Sequence, residues 1–471
     1  MTTTIQIANT LNVHEDILQS IGHTPLVRLN SVARDLPCRL YAKVEYFNPG
    51  GSIKDRIALN MITEAENSGR LKPGGMVVES TSGNTGVGLA IVCAIKGYKS
   101  VFVMPDKMSQ EKIQLLRAYG ARVVITPTAV EPDDPRSYYS VANRIVAETP
   151  NAILANQYHN PENPRSHYLT TGPEIWEQTH GQVTDLIAGV GTGGTISGIG
   201  RYLKEQNPDI KIVGVDPIGS ILLETWQHGS VPEDAVAKPY KIEGIGEDFL
   251  PSTLDLSVID EIVRVTDKEA FQWTRKIVKE EGIFCGVSSG AAFAGAMQYL
   301  QELPSDRLSV VIFPDSGSRY LSKVFDDKWM KENGFLESEW EGIHLREVLA
   351  EKRLSGLVTA SLSDRMTDVI ARLKEYDISQ MPVLDYEGNL AGLVTEVDLL
   401  EHMMEAGHTH DPDETIEPII QSVNYTYSSR ANLEDVLPKF FETPVILVVE
   451  EDRPLGILTK IDVLDFIARK I

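Results

Sequence analysis

Three glycine-rich turns, each set between a short β-branched run and a helical stretch, constrain this chain more than any other feature. The pattern from Leu40 to about Pro314 alternates the two periods: Met76–Ser80 and Val101–Met104 read as short buried strands, and Asn84–Gly97 as a helix ending at Gly97. An amphipathic stretch Ser109–Tyr119 and a strand Arg122–Thr126 follow, with Ser109 and Glu111 suited to a helix start. Later come Asp185–Gly189, a helix over Gly194–Glu205, and Ile212–Val215. Such repeats predict an α/β fold with parallel sheets covered by helices on both faces. Ligands of these folds sit beyond the carboxyl ends of the strands, so the turns become the candidate site.

The first turn, Asn48-Pro-Gly-Gly-Ser-Ile-Lys54-Asp-Arg56, follows an expected strand Leu40–Phe47 and leads into an expected helix Ile57–Glu66. Most lysines are solvated surface groups. A cation in the first turn of a helix, however, opposes the helix dipole at a cost of about 0.3–1 kcal/mol. Partial burial in a positive field would lower its pKa, which suits an imine-forming or basic amine. The second turn, Ser80-Thr-Ser-Gly-Asn-Thr-Gly86, gathers hydroxyls, an amide and free N–H groups at another helix start, as a carboxylate site or a common hydroxyl-rich cap. The third, Gly189-Val-Gly-Thr-Gly-Gly-Thr195, can cradle a phosphate at a helix N-terminus. Gly189, Gly191 and Gly194 also satisfy G-x-G-x-x-G, with Asp216 as a ribose ligand, so dinucleotide binding and a plain structural turn stay open from that motif alone.

Taken in order, Pro49–Arg56, Thr81–Gly86 and Gly191–Thr195 resemble the fold type II pyridoxal-phosphate enzymes, in their cysteine synthase and cystathionine β-synthase group. The likeness runs from Gly22 to Trp329 and demotes the dinucleotide reading. It implies that Lys54 carries pyridoxal 5'-phosphate as an imine and moves the substrate's protons. It also implies that Gly191, Thr192, Gly193, Gly194 and Thr195 bind the cofactor phosphate, and Asn84 its ring hydroxyl. In Cys285-Gly-Val-Ser-Ser-Gly290, Ser288 matches the residue that meets the pyridine nitrogen; a hydroxyl does not hold that nitrogen protonated, which favours loss of a β-substituent over racemisation or transamination. Thr81, Ser82 and Thr85, with Gln157 and Tyr158, are implied to hold the amino-acid carboxylate, although Gln157-Tyr158 also reads as ordinary packing after Ile153–Ala155. Glu247 stands where many cystathionine-forming members carry tyrosine, and reads either as the partner of a second substrate's amino group or as a solvated loop charge.

Beyond Phe335 the pattern changes. Residues 341–471 carry 12 Lys+Arg against 25 Asp+Glu, so about −13 of the formal −23 lies in this last quarter. The run Met381–Asp398 recurs as Thr443–Asp462, each copy reading as strand, turn, strand and a helix capped by threonine. The shared G-h-h-T-x-x-D, at Gly392–Asp398 and Gly456–Asp462, resembles a tandem CBS-domain (Bateman) pair, an α+β module. That resemblance implies an adenosine-type ligand on Thr395 and Asp398 or on Thr459 and Asp462; as plain sequence, threonine and aspartate are also good helix starts. We divide the chain into a core at 1–335, a linker at 336–352, and copies at 353–407 and 415–471.

Core and tail together imply a regulated β-replacement, L-serine plus L-homocysteine to cystathionine and water, by a homo-oligomer that is a dimer or a tetramer. A cysteine synthase using an activated serine and sulfide is the alternative, and an adenosyl sensor on an inactive scaffold a third. The tail's negative charge favours S-adenosylmethionine, a net cation, over ATP as effector. Haem is not expected, because no cysteine precedes Cys38 and Gln206–Ile210 lacks the C-x-x-C of haem-containing members. Cys38, Cys93 and Cys285 are too scattered for a disulfide framework or a cysteine metal site, which suits the cytoplasm, as does an amino terminus without a basic, apolar leader. The net charge argues against nucleic-acid partners, and apolar runs as short as Val445–Val449 argue against a membrane span.

Overall fold

The computed structural model describes residues 13–81, 83–106, 108, 110–128, 130, 134–336, 342–352, 356–405, 411 and 413–470. The chain separates into two compact units, Met1–Leu336 and Glu337–Ile471.

The first unit is built on two sheets. In the four-stranded sheet, Arg122–Thr126, Lys99–Pro105, Met76–Ser80 and Ala152–Leu154 lie side by side in that order, all parallel. The six-stranded sheet runs Leu26–Arg28, Arg39–Val44, Leu308–Phe313, Asp185–Gly189, Lys211–Pro217 and Glu261–Val265, parallel throughout except for the first strand. Its central strands are apolar on both faces: all six residues of Leu308–Phe313 are buried. That is the pattern of a sheet covered by helices on each side.

Helices follow the strands as the periodicity requires. Asn84–Lys96 is almost wholly buried from Thr85 to Cys93 and stops at Gly97, whose φ of 73° is the left-handed conformation that closes a helix. The helix expected over Ser109–Tyr119 spans Gln110–Ala118, and Ser109 lies outside the described residues. Two boundaries differ from the sequence reading. The strand expected to reach Phe47 ends at Val44, and Glu45–Phe47 is a single 3₁₀ turn. The carboxylate of Glu45 turns inward there to meet Thr24, Asn48 and Arg56, which breaks the extended run. The following helix begins at Lys54 rather than Ile57, because Ile53 already has helical dihedrals.

In the second unit the two copies have the same plan. Ala360–Ser361 pairs parallel with Gln380–Leu384, which pairs antiparallel with Leu390–Thr395; Thr426–Ser428, Val445–Glu450 and Arg453–Thr459 repeat this order. Each hairpin carries a register shift at the matching place, Val383/Leu384 and Val448/Val449. The helix Leu345–Ala350, in the stretch read as linker, packs Leu345 and Val348 into the core of the second copy beside Val436, Ile446 and Phe466.

Candidate active site

Strands of both sheets of the first unit end on one large cleft of about 1690 Å³. Lys54, Thr81, Asn84, Thr85, Gln157, Tyr158, Gly191, Thr192, Gly193, Thr195, Glu247 and Ser288 all line it. Segments far apart in sequence thus converge: the turns of Lys54, Asn84, Gln157 and Gly191–Thr195 each follow a parallel strand, while Glu247 comes from the loop after Leu222–His228 and Ser288 from the start of the helix Val287–Leu300. Gly194 stands just behind the lining: a Cβ there would lie 2.0 Å from Asn163 Oδ1. Ser82 lies outside the described residues.

Lys54 is the first residue of its helix, at the positive end of the dipole. Burial lowers its pKa to about 8, and the neighbouring Glu247 and Asp315 only partly oppose that. Directly behind it lies a charged cluster. Arg56 forks to both oxygens of Glu45 and of Glu174, and Lys43 Nζ adds a bond of 2.8 Å to Glu174 Oε2. Lys43, Glu45 and Arg56 are buried, so the lysine turn rests on a nearly dry set of two cations and two anions.

Two of the residues expected to hold a carboxylate are coupled. Thr85 Oγ1 donates to Gln157 Oε1 at 2.5 Å. Behind them the buried carboxylate of Glu79 accepts from the backbone N–H groups of Asn156 and Gln157, and burial pushes its pKa up to about 7. Gln157 thus lines the cleft and is joined to Thr85 by a hydrogen bond.

In the third turn, Gly193 has φ of 80°, and a Cβ on Gly191 would come within 2.7 Å of Gly244 O. Only glycine keeps this backbone close to the next loop and its N–H groups accessible. The helix Gly194–Gln206 opens from it. Thr192 Oγ1 accepts from Asn163 Nδ2 at 3.2 Å, and Thr195 Oγ1 meets His167 Nε2 at 3.3 Å, so both hydroxyls are braced from the helix Glu162–Leu169. Asp216 is not a ribose ligand: it is fully buried and accepts from Leu223 N, bracing the short helix Leu222–His228.

Several cleft residues escaped the sequence reading, among them Tyr138, Tyr139, Tyr240 and Asp315. Asp315 lies one residue past the end of the apolar strand Leu308–Phe313, so the strand-end rule could have found it. Glu247 lines the cleft with these tyrosines, and burial raises its carboxyl to about 8.

In the tail, Thr395 and Asp398 form a capping box, with Asp398 Oδ2 accepting from Thr395 N at 2.9 Å and Oγ1 at 2.7 Å. Thr459 and Asp462 repeat it at 2.8 and 2.6 Å, and Asp462 also pairs with Lys352 at 3.0 Å. Each pair thus starts a helix and leaves Oδ1 of its aspartate outside the cap. Among the described residues no group of three or more His, Cys, Asp or Glu could hold a metal ion, and all three cysteines are free and buried.

Residues 17–315 match the family described as pyridoxal-phosphate dependent enzyme, and residues 352–405 match the CBS domain. The chain belongs to the pyridoxal-phosphate dependent enzymes, and pyridoxal phosphate is its cofactor. Within that class it is similar over nearly its whole length to cystathionine beta-synthases. It is 39% identical to that of Dictyostelium discoideum over 97% of this chain and 93% of the relative, and 38% identical to that of Saccharomyces cerevisiae over 96% and 98%. A cysteine synthase of Staphylococcus aureus is 45% identical, but over only 66% of this chain and 98% of its own. The crystal structure of a hydrogen sulfide-producing enzyme from Fusobacterium nucleatum superposes with a TM-score of 0.61 at 38% identity, covering 66% of this chain and 99% of that one. The residues fit the cofactor: a lysine amine held near neutrality, a glycine cradle at a helix start, and an asparagine whose Oδ1 is buried without a partner all face one cleft.

Proposed function

We propose that the protein joins L-serine to L-homocysteine, releasing water and forming L-cystathionine, under control of its C-terminal CBS pair. The observation that carries this reading is the extent of the likeness. Cystathionine beta-synthases match core and tail together, whereas the cysteine synthase matches the core alone. A cysteine synthase working on an activated serine and sulfide is the weaker fit. A sensor on an inactive scaffold is weaker still, since Lys54, Asn84 and Ser288 share one cleft.

Bound pyridoxal phosphate supplies the electron sink that acidifies the substrate's α-hydrogen and lets the β-substituent leave. The protein's part is placement and proton traffic. Gly191, Thr192, Gly193, Gly194 and Thr195 hold the phosphate, Asn84 the ring oxygen, and Ser288 the pyridine nitrogen. Thr81, Thr85, Gln157 and Tyr158 hold the substrate carboxylate, as does Ser82. Lys54 Nζ, displaced by the incoming amino group, would take the α-proton and pass it to the departing hydroxyl, which leaves as water; it would then take the proton of the homocysteine thiol as sulfur bonds to the β-carbon, and deliver it to the α-carbon. Its pKa of about 8 suits this exchange near neutral pH, and acid–base help of this kind contributes about 10²–10⁴-fold. Glu247 receives the amino group of the second substrate. An ammonium beside it would hold the carboxylate ionised against the burial that raises its pKa to about 8.

The tail binds an adenosyl cation of the S-adenosylmethionine kind through Thr395 and Asp398 or Thr459 and Asp462. We take the assembly to be a cytoplasmic homo-oligomer, dimer or tetramer. The free cysteines fit a reducing compartment, and no helix among the described residues is long and apolar enough to cross a membrane.

The test compares kcat/KM for serine with homocysteine, serine with sulfide, and O-acetylserine with sulfide. The first pair should lead, and Glu247→Ala should raise KM for homocysteine far more than for serine. A lead for O-acetylserine and sulfide would give the protein to the cysteine synthases.

A further inference from the structure

The strands Met76–Ser80 and Ala152–Leu154 run side by side and part at the cleft. Their ladder closes where Ala155 N donates to Val78 O at 3.0 Å. The next residue, Asn156, has φ of 58°, a left-handed conformation that asparagine tolerates, and there the chain turns out of the sheet. A side chain takes over from the backbone at that point. Glu79 Oε2 accepts from Asn156 N at 2.5 Å, and Oε1 from Gln157 N at 3.4 Å. Glu79 is 3% exposed, and among the described residues these two N–H groups are what opposes the burial of its charge.

Beyond the parting, Thr81 and Thr85 line the cleft from one segment and Gln157 and Tyr158 from the other. Thr85 Oγ1 donates to Gln157 Oε1 at 2.5 Å and so joins the two. The acceptor end of the Gln157 amide is thereby used. Nε2, which has no partner among the described residues, is the donor end that Gln157 has left in the cleft. An ionised carboxylate presents two acceptor oxygens, so the single side chain of Glu79 can hold both N–H groups. A glutamine of the same shape has one acceptor and one donor, and would set its NH2 against one of them.

We propose that Glu79 is a positioning residue for the amino-acid carboxylate: its two oxygens hold the Asn156–Gln157 backbone where the Gln157 amide stays on Thr85 and keeps its N–H groups for the substrate. This rests on the reading of Gln157 as a carboxylate partner. Glu79 itself does not line the cleft, so it acts through Gln157.

The measurement is the absorbance change of the holoprotein on titration with L-serine and with L-serinamide, which keeps the amino group and the hydroxyl but lacks the charged carboxylate. The ratio of the two dissociation constants reads the carboxylate contact, because a general loosening of the site weakens both ligands. Wild type should prefer serine, and Glu79→Gln should cut that preference about tenfold, the worth of roughly one hydrogen bond to a charged group. Gln157→Ala should cut it at least as far, and adding Glu79→Gln to Gln157→Ala should cut it no further. Should Glu79→Gln fail to take up the cofactor, Asn156→Val decides. A β-branched residue resists the left-handed conformation and should draw the same N–H groups off Glu79, lowering the preference, whereas Asn156→Gly should keep it. An unchanged preference in Glu79→Gln or in Asn156→Val, alongside a reduced one in Gln157→Ala, overturns the proposal. An unchanged preference in Gln157→Ala overturns the reading of Gln157, and the proposal with it.

Discussion

Replacing Arg56 by methionine should unfold the first unit far more easily, and the cost can be worked from its partners. The guanidinium is 1% exposed and makes five hydrogen bonds, two to Glu45, two to Glu174 and one to Thr24 Oγ1. Without it, buried Glu45 keeps only the Thr24 hydroxyl and the Asn48 amide, and the cluster holds one uncompensated negative charge. Stranding a buried charge in this way costs about 3–5 kcal/mol, a large share of a typical total of roughly 5–15 kcal/mol. With a urea dependence near about 3 kcal/mol per molar, the midpoint should fall by roughly 1–2 M. Tryptophan fluorescence reports this unit, since Trp176, Trp226, Trp273 and Trp329 lie in it.

The pH dependence carries a definite sign. Burial pushes Glu174 up, but Arg56 and Lys43 outweigh it and hold the carboxyl down at about 2. A depressed acid contributes stability above its unfolded pKa of about 4.3 and loses it as pH falls toward the folded value. The wild type should therefore lose part of its advantage between about pH 4.3 and 2, and the gap to Arg56→Met should close there. A double variant, Glu45→Gln with Arg56→Met, should recover much of the loss, because no lone charge remains at Glu45. A midpoint shift at pH 7 worth under about 1 kcal/mol, or a gap that does not narrow in acid, would show that Arg56 is not the counter-charge these buried carboxylates depend on.

Three further outcomes follow from the same geometry. The apoprotein should capture pyridoxal phosphate at a rate that climbs tenfold per pH unit and levels near pH 8, the value to which burial brings Lys54; stopped-flow absorbance at several pH values checks this, and a climb continuing to pH 10 contradicts it. Gly194→Ala should abolish tight cofactor binding in fluorescence titration, because its Cβ would sit 2.0 Å from Asn163 Oδ1. S-adenosylmethionine, at about a hundred times its Kd, should stabilise the tail by about 2.7 kcal/mol where ATP does not, and Asp398→Ala or Asp462→Ala should remove the thermal shift.

How much of this was legible in the sequence depends on the range of the contacts. Arg122–Thr126 and Asp185–Gly189 are strands with the boundaries their β-branched runs suggest, and the Thr–Asp caps of the tail are local patterns three residues apart. Lys54, Asn84 and Gly191–Thr195 stood out because their turns concentrate glycine, amide and hydroxyl groups. Glu45 and Glu79 left no such trace, and Asp315 left only its place just past an apolar strand. Each is a lone acid whose meaning comes from a distant partner: Asp315 meets Asn84 across 231 residues, and Glu79 meets Gln157 across 78. The early end of the strand at Val44 has the same origin, since its cause is Arg56, eleven residues on in the next helix.

The most direct test of the account is to reduce the holoprotein with borohydride, digest it and locate the pyridoxyl group by mass spectrometry. A single pyridoxyl-lysine is expected at Lys54, with none at Lys43 or Lys112. Label on another lysine, or spread over the surface with Lys54 unmodified, would contradict it.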